Sequence, residues 1–132
     1  MIRIGIKGHG TSIVDESNIA STVGSGTVDV FATPMMIALV EKTASLSIQP
    51  YLEQGQSSVG TSVNMTHLSA TPTGMEVWAD TEVTEVDRRR IVFNVKTFDE
   101  CGSIGEGTHE RFIVDVEKFR ERAYTKKKEP KY

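Results

Sequence analysis

The stretch from Thr33 to Pro50 constrains this chain more than any other segment. Pro34 suits the first turn of a helix, because it has no N–H to leave unpaired there, and Thr33 before it can cap through its hydroxyl. From Pro34 to Ile48 there is no glycine. Met35, Met36, Ile37, Ala38, Leu39, Val40, Ala44, Leu46 and Ile48 leave only Glu41 and Lys42 charged, and Pro50 stops the run. A helix that is apolar nearly all round is a buried helix. The rest of the chain has to wrap it.

The flanking pattern supplies strands for that purpose. Beyond a polar loop, Glu53 to Ser57, the period becomes two: Val59, Thr61, Val63, Met65 and His67 on one face, Gly60, Ser62, Asn64 and Thr66 on the other. Thr71-Pro72-Thr73-Gly74 reads as a β-turn. Met75, Val77, Ala79 and Val83 give a second strand, Ile91, Phe93 and Val95 a third, and Ile104 to about Val116 a fourth, with turns at Asp87 to Arg89 and Asp99 to Ser103. Gly105 and Gly107 inside the fourth mark a bulge or a close approach. Ahead of the helix, Ile2, Ile4 and Ile6 alternate as a short strand, Ser12 to Val14 suggests another, and Ser21 to Gly26 reads as a loop. Short turns favour antiparallel neighbours. The expected class is α+β: a long helix wrapped by an antiparallel sheet of about five strands, whose edges and leftover helix surface call for a second copy.

Length and charge narrow the function classes. A chain of 132 residues suits one domain, read as residues 1–125, followed by a basic, flexible tail at 126–132. A formal net charge of -3 argues against general nucleic-acid binding. The single cysteine, Cys101, permits no internal disulfide and fits a reducing compartment. The N-terminus lacks the apolar stretch of a signal peptide, and no window approaches a membrane span. The expectation is a soluble, cytoplasmic protein. His9, His67 and His109 show no metal-ligand spacing, and neither a Gly-x-Ser-x-Gly elbow nor a phosphate-binding glycine loop is present. Cys101 has no basic neighbour to activate it.

Candidate chemistry lies on the helix and two strands. Thr33, read alone, is a cap, although a hydroxyl at a helix N-terminus also sits where negative charge is stabilised. Glu41 lies two turns further along; on so apolar a helix it needs a partner, and a nearby histidine would share a proton useful for acid–base work. His67 falls on the strand face with Val63 and Met65 and should point inward. Arg111 shares a face with Gly105, Gly107 and His109. Arg88 to Arg90 read mainly as a solvated turn.

Val30-Phe31-Ala32-Thr33, Glu41, Pro50-Tyr51-Leu52-Glu53, Val59-Gly60-Thr61, Thr66-His67 and Gly107-Thr108-His109-Glu110-Arg111, in this order and spacing, resemble the fluoroacetyl-CoA thioesterase-like family of hotdog proteins over roughly residues 28–120. The resemblance implies a hotdog fold and a homodimer with active sites near the subunit interface, with pairing of dimers into tetramers left open. It implies acyl-CoA as substrate, no cofactor and no metal. It also implies a catalytic group of Thr33, Glu41 and His67, with Gly60 at the substrate carbonyl and Arg111 lining the pocket. Whether Glu41 acts as base or nucleophile stays open. The fluoroacetyl-specific member carries bulky aromatic and proline residues where this chain reads Gly24-Ser25-Gly26-Thr27-Val28-Asp29, and glycine where it has Pro34. Small residues cannot build the same apolar lid, so a short or medium acyl-CoA is the expected substrate. A non-catalytic acyl-thioester binder and a hotdog enoyl-CoA hydratase or dehydratase are the competing readings.

Overall fold

The computed structural model describes residues 1–128. In chain order the elements are β1 (Lys7–Ile13), α1 (Ala20–Val23), α2 (Thr33–Ile48), a 3-10 turn (Gln49–Tyr51), β2 (Gln56–His67), β3 (Glu76–Asp87), β4 (Arg90–Asp99), β5 (Gly102–Asp115) and α3 (Val116–Lys128). The five strands form one antiparallel sheet in the order β1-β3-β4-β5-β2. Helix α2 packs on one face of it. Met36, Val40, Ala44 and Ile48, spaced four apart, meet the alternate residues Val77, Ala79 and Val83 of β3 and Ile91, Phe93 and Val95 of β4. Each of these side chains other than the two alanines contributes about 1.5–3 kcal/mol by leaving water.

Cover on α2 is one-sided. Ala38 is exposed and Leu46 is 61 % exposed. Strand β2 ends the sheet, so one edge of its twelve residues has no partner strand among the described residues. Long open edges of this kind are usually covered in the native assembly.

The first strand departs from the sequence expectation. Ile2, Ile4 and Ile6 form no strand; Gly5 turns the backbone with φ 99°, and β1 starts at Lys7. Its inward positions are Gly8, Gly10 and Ser12, because α2 passes too close for larger side chains. A Cβ at Gly8 would stand 2.9 Å from Cβ of Ser47. An apolar alternation was the wrong signal for a strand pressed this tightly to a helix.

Strand β2 carries a bulge that the period-two reading did not contain. Gly60 pairs with Arg111, but Ser62, not Thr61, pairs with Glu110, so Thr61 is an extra residue. One extra residue flips the side-chain alternation. Gly60 and His67, seven apart, would otherwise face opposite sides; the bulge turns both toward the helix side with Val63 and Met65.

The basic tail is also different. Lys126, Lys127 and Lys128 close α3, where positive charge suits a helix C-terminus. Lys131 lies outside the described residues.

Candidate active site

Thr33 does not cap its helix. Ala32 holds the N-cap position with extended backbone angles (φ -75°, ψ 137°), and no side chain caps the free N–H groups. The Thr33 hydroxyl instead meets Nδ1 of His67 at 2.7 Å. The Thr33 reach is set by the first turn of α2, and the His67 ring by the last residue of β2.

Burial pushes the His67 imidazole below its ordinary pKa, with the nearby Ser69 backbone acting weakly the other way. The ring is therefore neutral at pH 7. Its Nε2 is buried with no hydrogen-bond partner among the described residues. A buried polar atom left so is uncommon and calls for a partner from outside the chain. Beside this pair lies a cleft of about 290 Å³, bounded by Ala20, Ser25, Val30, Thr33, His67 and Ser69. Its outer wall is α1 and the exposed segment that follows, tied down by Ala20 N–H to the Val30 carbonyl and Phe31 N–H to the Thr71 carbonyl, both 2.9 Å.

A second group forms two helical turns away. Oε2 of Glu41 lies 3.8 Å from Nη1 of Arg111, and the Glu41 side chain is 42 % exposed. Arg111 is buried. Its Nε–H donates to Oγ of Ser58 at 2.8 Å, Nη2 to the Ser58 carbonyl at 2.9 Å, and Nη1 to Nε2 of His109 at 3.3 Å. Burial works against the guanidinium's charge, and the Glu41 carboxylate offsets part of that. Gly60 completes the group: a Cβ there would stand 2.5 Å from Oε2 of Glu41 and 3.4 Å from Nη1 of Arg111. Only a residue without a side chain lets the carboxylate lie against the β2 backbone.

The five expected residues thus fall into two sets, Thr33 with His67, and Glu41 with Gly60 and Arg111. Eight residues at 1.5 Å each put the Thr33 and Glu41 Cα atoms about 12 Å apart along α2. The expected contact between Glu41 and His67 is not made within one chain. The histidine near Glu41 is His109, which the sequence reading left outside the catalytic group. Its signal was its place on the inward face of β5, two residues from Arg111. The arginine run Arg88 to Arg90 is only partly solvated: Arg90 pairs with Glu85 and Glu110. Among the described residues no group of three His, Cys, Asp or Glu side chains could hold a metal, and no helix is long and apolar enough to cross a membrane.

Comparison with known proteins decides the family. Residues 14–117 match the family model described as fluoroacetyl-CoA-specific thioesterase (FlK). The chain belongs to this family. A fluoroacetyl-CoA thioesterase of Streptantibioticus cattleyicolor is 42 % identical over 91 residues, which is 69 % of this chain and 66 % of that protein, just under two thirds of its length. The crystal structure of the fluoroacetyl-CoA thioesterase FlK superposes with a TM-score of 0.91 at 32 % identity, covering 96 % of this chain and 98 % of that one. A point mutant of FlK in complex with fluoroacetate and CoA gives 0.85 at 33 %, over 89 % of this chain and 99 % of that one. A thioesterase superfamily member from Thermus thermophilus gives 0.87 at 26 %, covering 97 % of both chains. The architecture is the hotdog fold, as expected from the sequence.

Proposed function

We propose that this protein is an acyl-CoA thioesterase that hydrolyses a short or medium acyl-CoA to the free acid and coenzyme A, acting as a homodimer whose two sites each draw on both protomers. Family membership supports the thioester chemistry. One observation carries the shared site: the expected residues stand in two sets, at Thr33 and at Glu41, separated along α2, and β2, which bears Gly60 and His67, has a free edge. Two β2 strands pairing antiparallel about a two-fold axis would bring the His67 end of each against the Gly60 end of the other. Glu41 of one protomer would then approach Thr33 and His67 of its partner, and the unpartnered Nε2 of His67 would gain a neighbour.

In such a site the acyl chain occupies the cleft beside Thr33, and the thioester carbonyl lies over the Gly60 backbone. Glu41 supplies the attacking oxygen or draws a proton from the water that attacks. The tetrahedral oxyanion collapses, the C–S bond breaks, and the sulfur leaves as coenzyme A thiol; where Glu41 is the nucleophile, water then cleaves the acyl–Glu41 anhydride to release the acid and restore the carboxylate. His67, neutral near pH 7, moves the proton, a role worth about 10²–10⁴-fold. Thr33 holds the imidazole and orients water or carbonyl. Arg111 aims the Glu41 carboxylate.

The wall of small exposed residues, Gly24 to Asp29, supports an acyl group larger than fluoroacetyl. A cytoplasmic location follows from the substrate class and the single cysteine. The test is coenzyme A release over a panel of acyl-CoAs, with His67→Ala and Glu41→Gln beside the unaltered protein. Turnover that drops at least tenfold in both variants is expected. Equal rates in all three proteins would remove both residues from the reaction, and saturable binding without release would favour a non-hydrolytic acyl-thioester binder. Absorbance change with an enoyl-CoA would favour a hydratase.

A further inference from the structure

We propose that His109 is a positioning residue: by accepting one N–H of Nη1 of Arg111, it turns the guanidinium so that its other Nη1 proton faces Glu41. This deepens the reading of the site given above and rests on it. His109 is fully buried on β5. Its Nδ1 lies 2.8 Å from the Ser62 carbonyl, which can only accept, so Nδ1 carries the proton. Nε2 then offers its lone pair to Nη1 of Arg111 at 3.3 Å. The ring is fixed a third way, stacked on Phe93 with centroids 5.8 Å apart.

The Ser62 carbonyl stands there because of the bulge. Ser62 follows the extra residue Thr61, whose hydroxyl donates to the Glu110 carbonyl at 3.2 Å. The same irregularity that turns Gly60 toward Glu41 therefore also sets the His109 tautomer. On the far side of the guanidinium, Ser58 takes Nε–H and Nη2. With Ser58 and His109 in place one Nη1 proton is left over, and the Glu41 carboxylate lies 3.8 Å from that nitrogen. Without His109 the guanidinium is held only along its Nε–Nη2 edge by Ser58 and can tilt about that edge; it would still neutralise charge but would aim the carboxylate less well, and a misplacement of about 1 Å can cost ~10²-fold in rate.

The substitutions that separate this role from a packing role are His109→Phe and His109→Gln. Phenylalanine keeps the volume and the stack on Phe93 but accepts nothing from Arg111. Glutamine restores an acceptor at the Nε2 position. With the acyl-CoA turned over fastest in the panel, H109F is expected to lower kcat by about 10- to 100-fold while KM changes less than about threefold. H109Q is expected to recover most of the loss. Adding H109F to E41Q should lower kcat no further, because both act through one carboxylate. Multiplying losses, or H109F turnover equal to that of the unaltered protein, would overturn the proposal. A second measurement needs no turnover: in ¹⁵N NMR the Arg111 Nη1 protons, one of which His109 accepts, should exchange at least tenfold faster with solvent in H109F and return toward their original rate in H109Q. Unchanged exchange in H109F sinks the positioning role, whereas an unaltered protein that hydrolyses no acyl-CoA sinks the activity alone.

Discussion

Replacing Gly60 by alanine tests the site with the smallest possible intrusion. The added methyl would lie 2.5 Å from Oε2 of Glu41, 3.3 Å from Cε1 of His109 and 3.4 Å from Nη1 of Arg111. The last two are tight but tolerable. The first is not, so the carboxylate has to retreat by about 1 Å to reach ordinary contact. It can do so cheaply, because the Glu41 side chain is 42 % exposed and flexible. The backbone also raises no objection: Gly60 is not among the glycines with positive φ, so alanine fits its conformation. The expected result is an asymmetry. Stability should hold or rise by up to about 1 kcal/mol from reduced freedom of the unfolded chain. Activity should fall by about 10²-fold, because the displaced group is the one that delivers oxygen or takes the proton. Thermal unfolding and coenzyme A release on the same preparation give both numbers. A G60A protein with unchanged kcat/KM would refute the placement of Glu41 against β2 as the working geometry.

Three further outcomes follow from the contacts. Thr33→Ala should lower turnover by about 10- to 100-fold and Thr33→Ser by less than about threefold, since serine keeps the hydroxyl that meets His67; equal losses would mean the methyl, not the hydroxyl, matters. Arg111→Lys should cost at least about tenfold in kcat despite keeping the charge, because an ammonium cannot reproduce the three-way hold by Ser58 and His109; full activity in R111K would show that charge alone suffices. Burial lowers the pKa of both His67 and His109, so between their folded values and the ordinary 6.5 the unfolded chain binds more protons than the folded one. Stability should therefore be flat above about pH 7 and fall as pH drops through 6.5. Melting temperatures of the unaltered protein and His67→Asn across pH 5.5–8 check this, with a shallower fall expected in the variant and identical slopes counting against it.

The helix was legible because its signals are local: a proline in the first turn, another just past the end, and an unbroken apolar run. Strands β3 and β4 were legible for a similar reason, since each buries one face and alternates accordingly. Strand β1 was not, because its inward positions are Gly8, Gly10 and Ser12, chosen by the closeness of α2 and not by hydrophobicity. The bulge at Thr61 left no mark in the alternation, and without it Gly60 and His67 could not be assigned to one face. Of the site, the residue types were readable through the family pattern, but their partners were not. Thr33 gave up the cap it could have made for a bond to His67. Glu41 found Arg111 where a histidine was expected, and His109 carries contacts its sequence position only hinted at.

Subunit complementation reaches the shared site most directly. His67→Ala and Glu41→Gln chains, each at least tenfold less active alone, are unfolded together in equal amounts and refolded. Random pairing makes half of the dimers mixed, and each mixed dimer rebuilds one of its two sites from the sound His67 of one chain and the sound Glu41 of the other. The mixture should recover about a quarter of the unaltered activity. A mixture no more active than its parents, with mixed dimers verified by mass, would contradict a site assembled from two protomers.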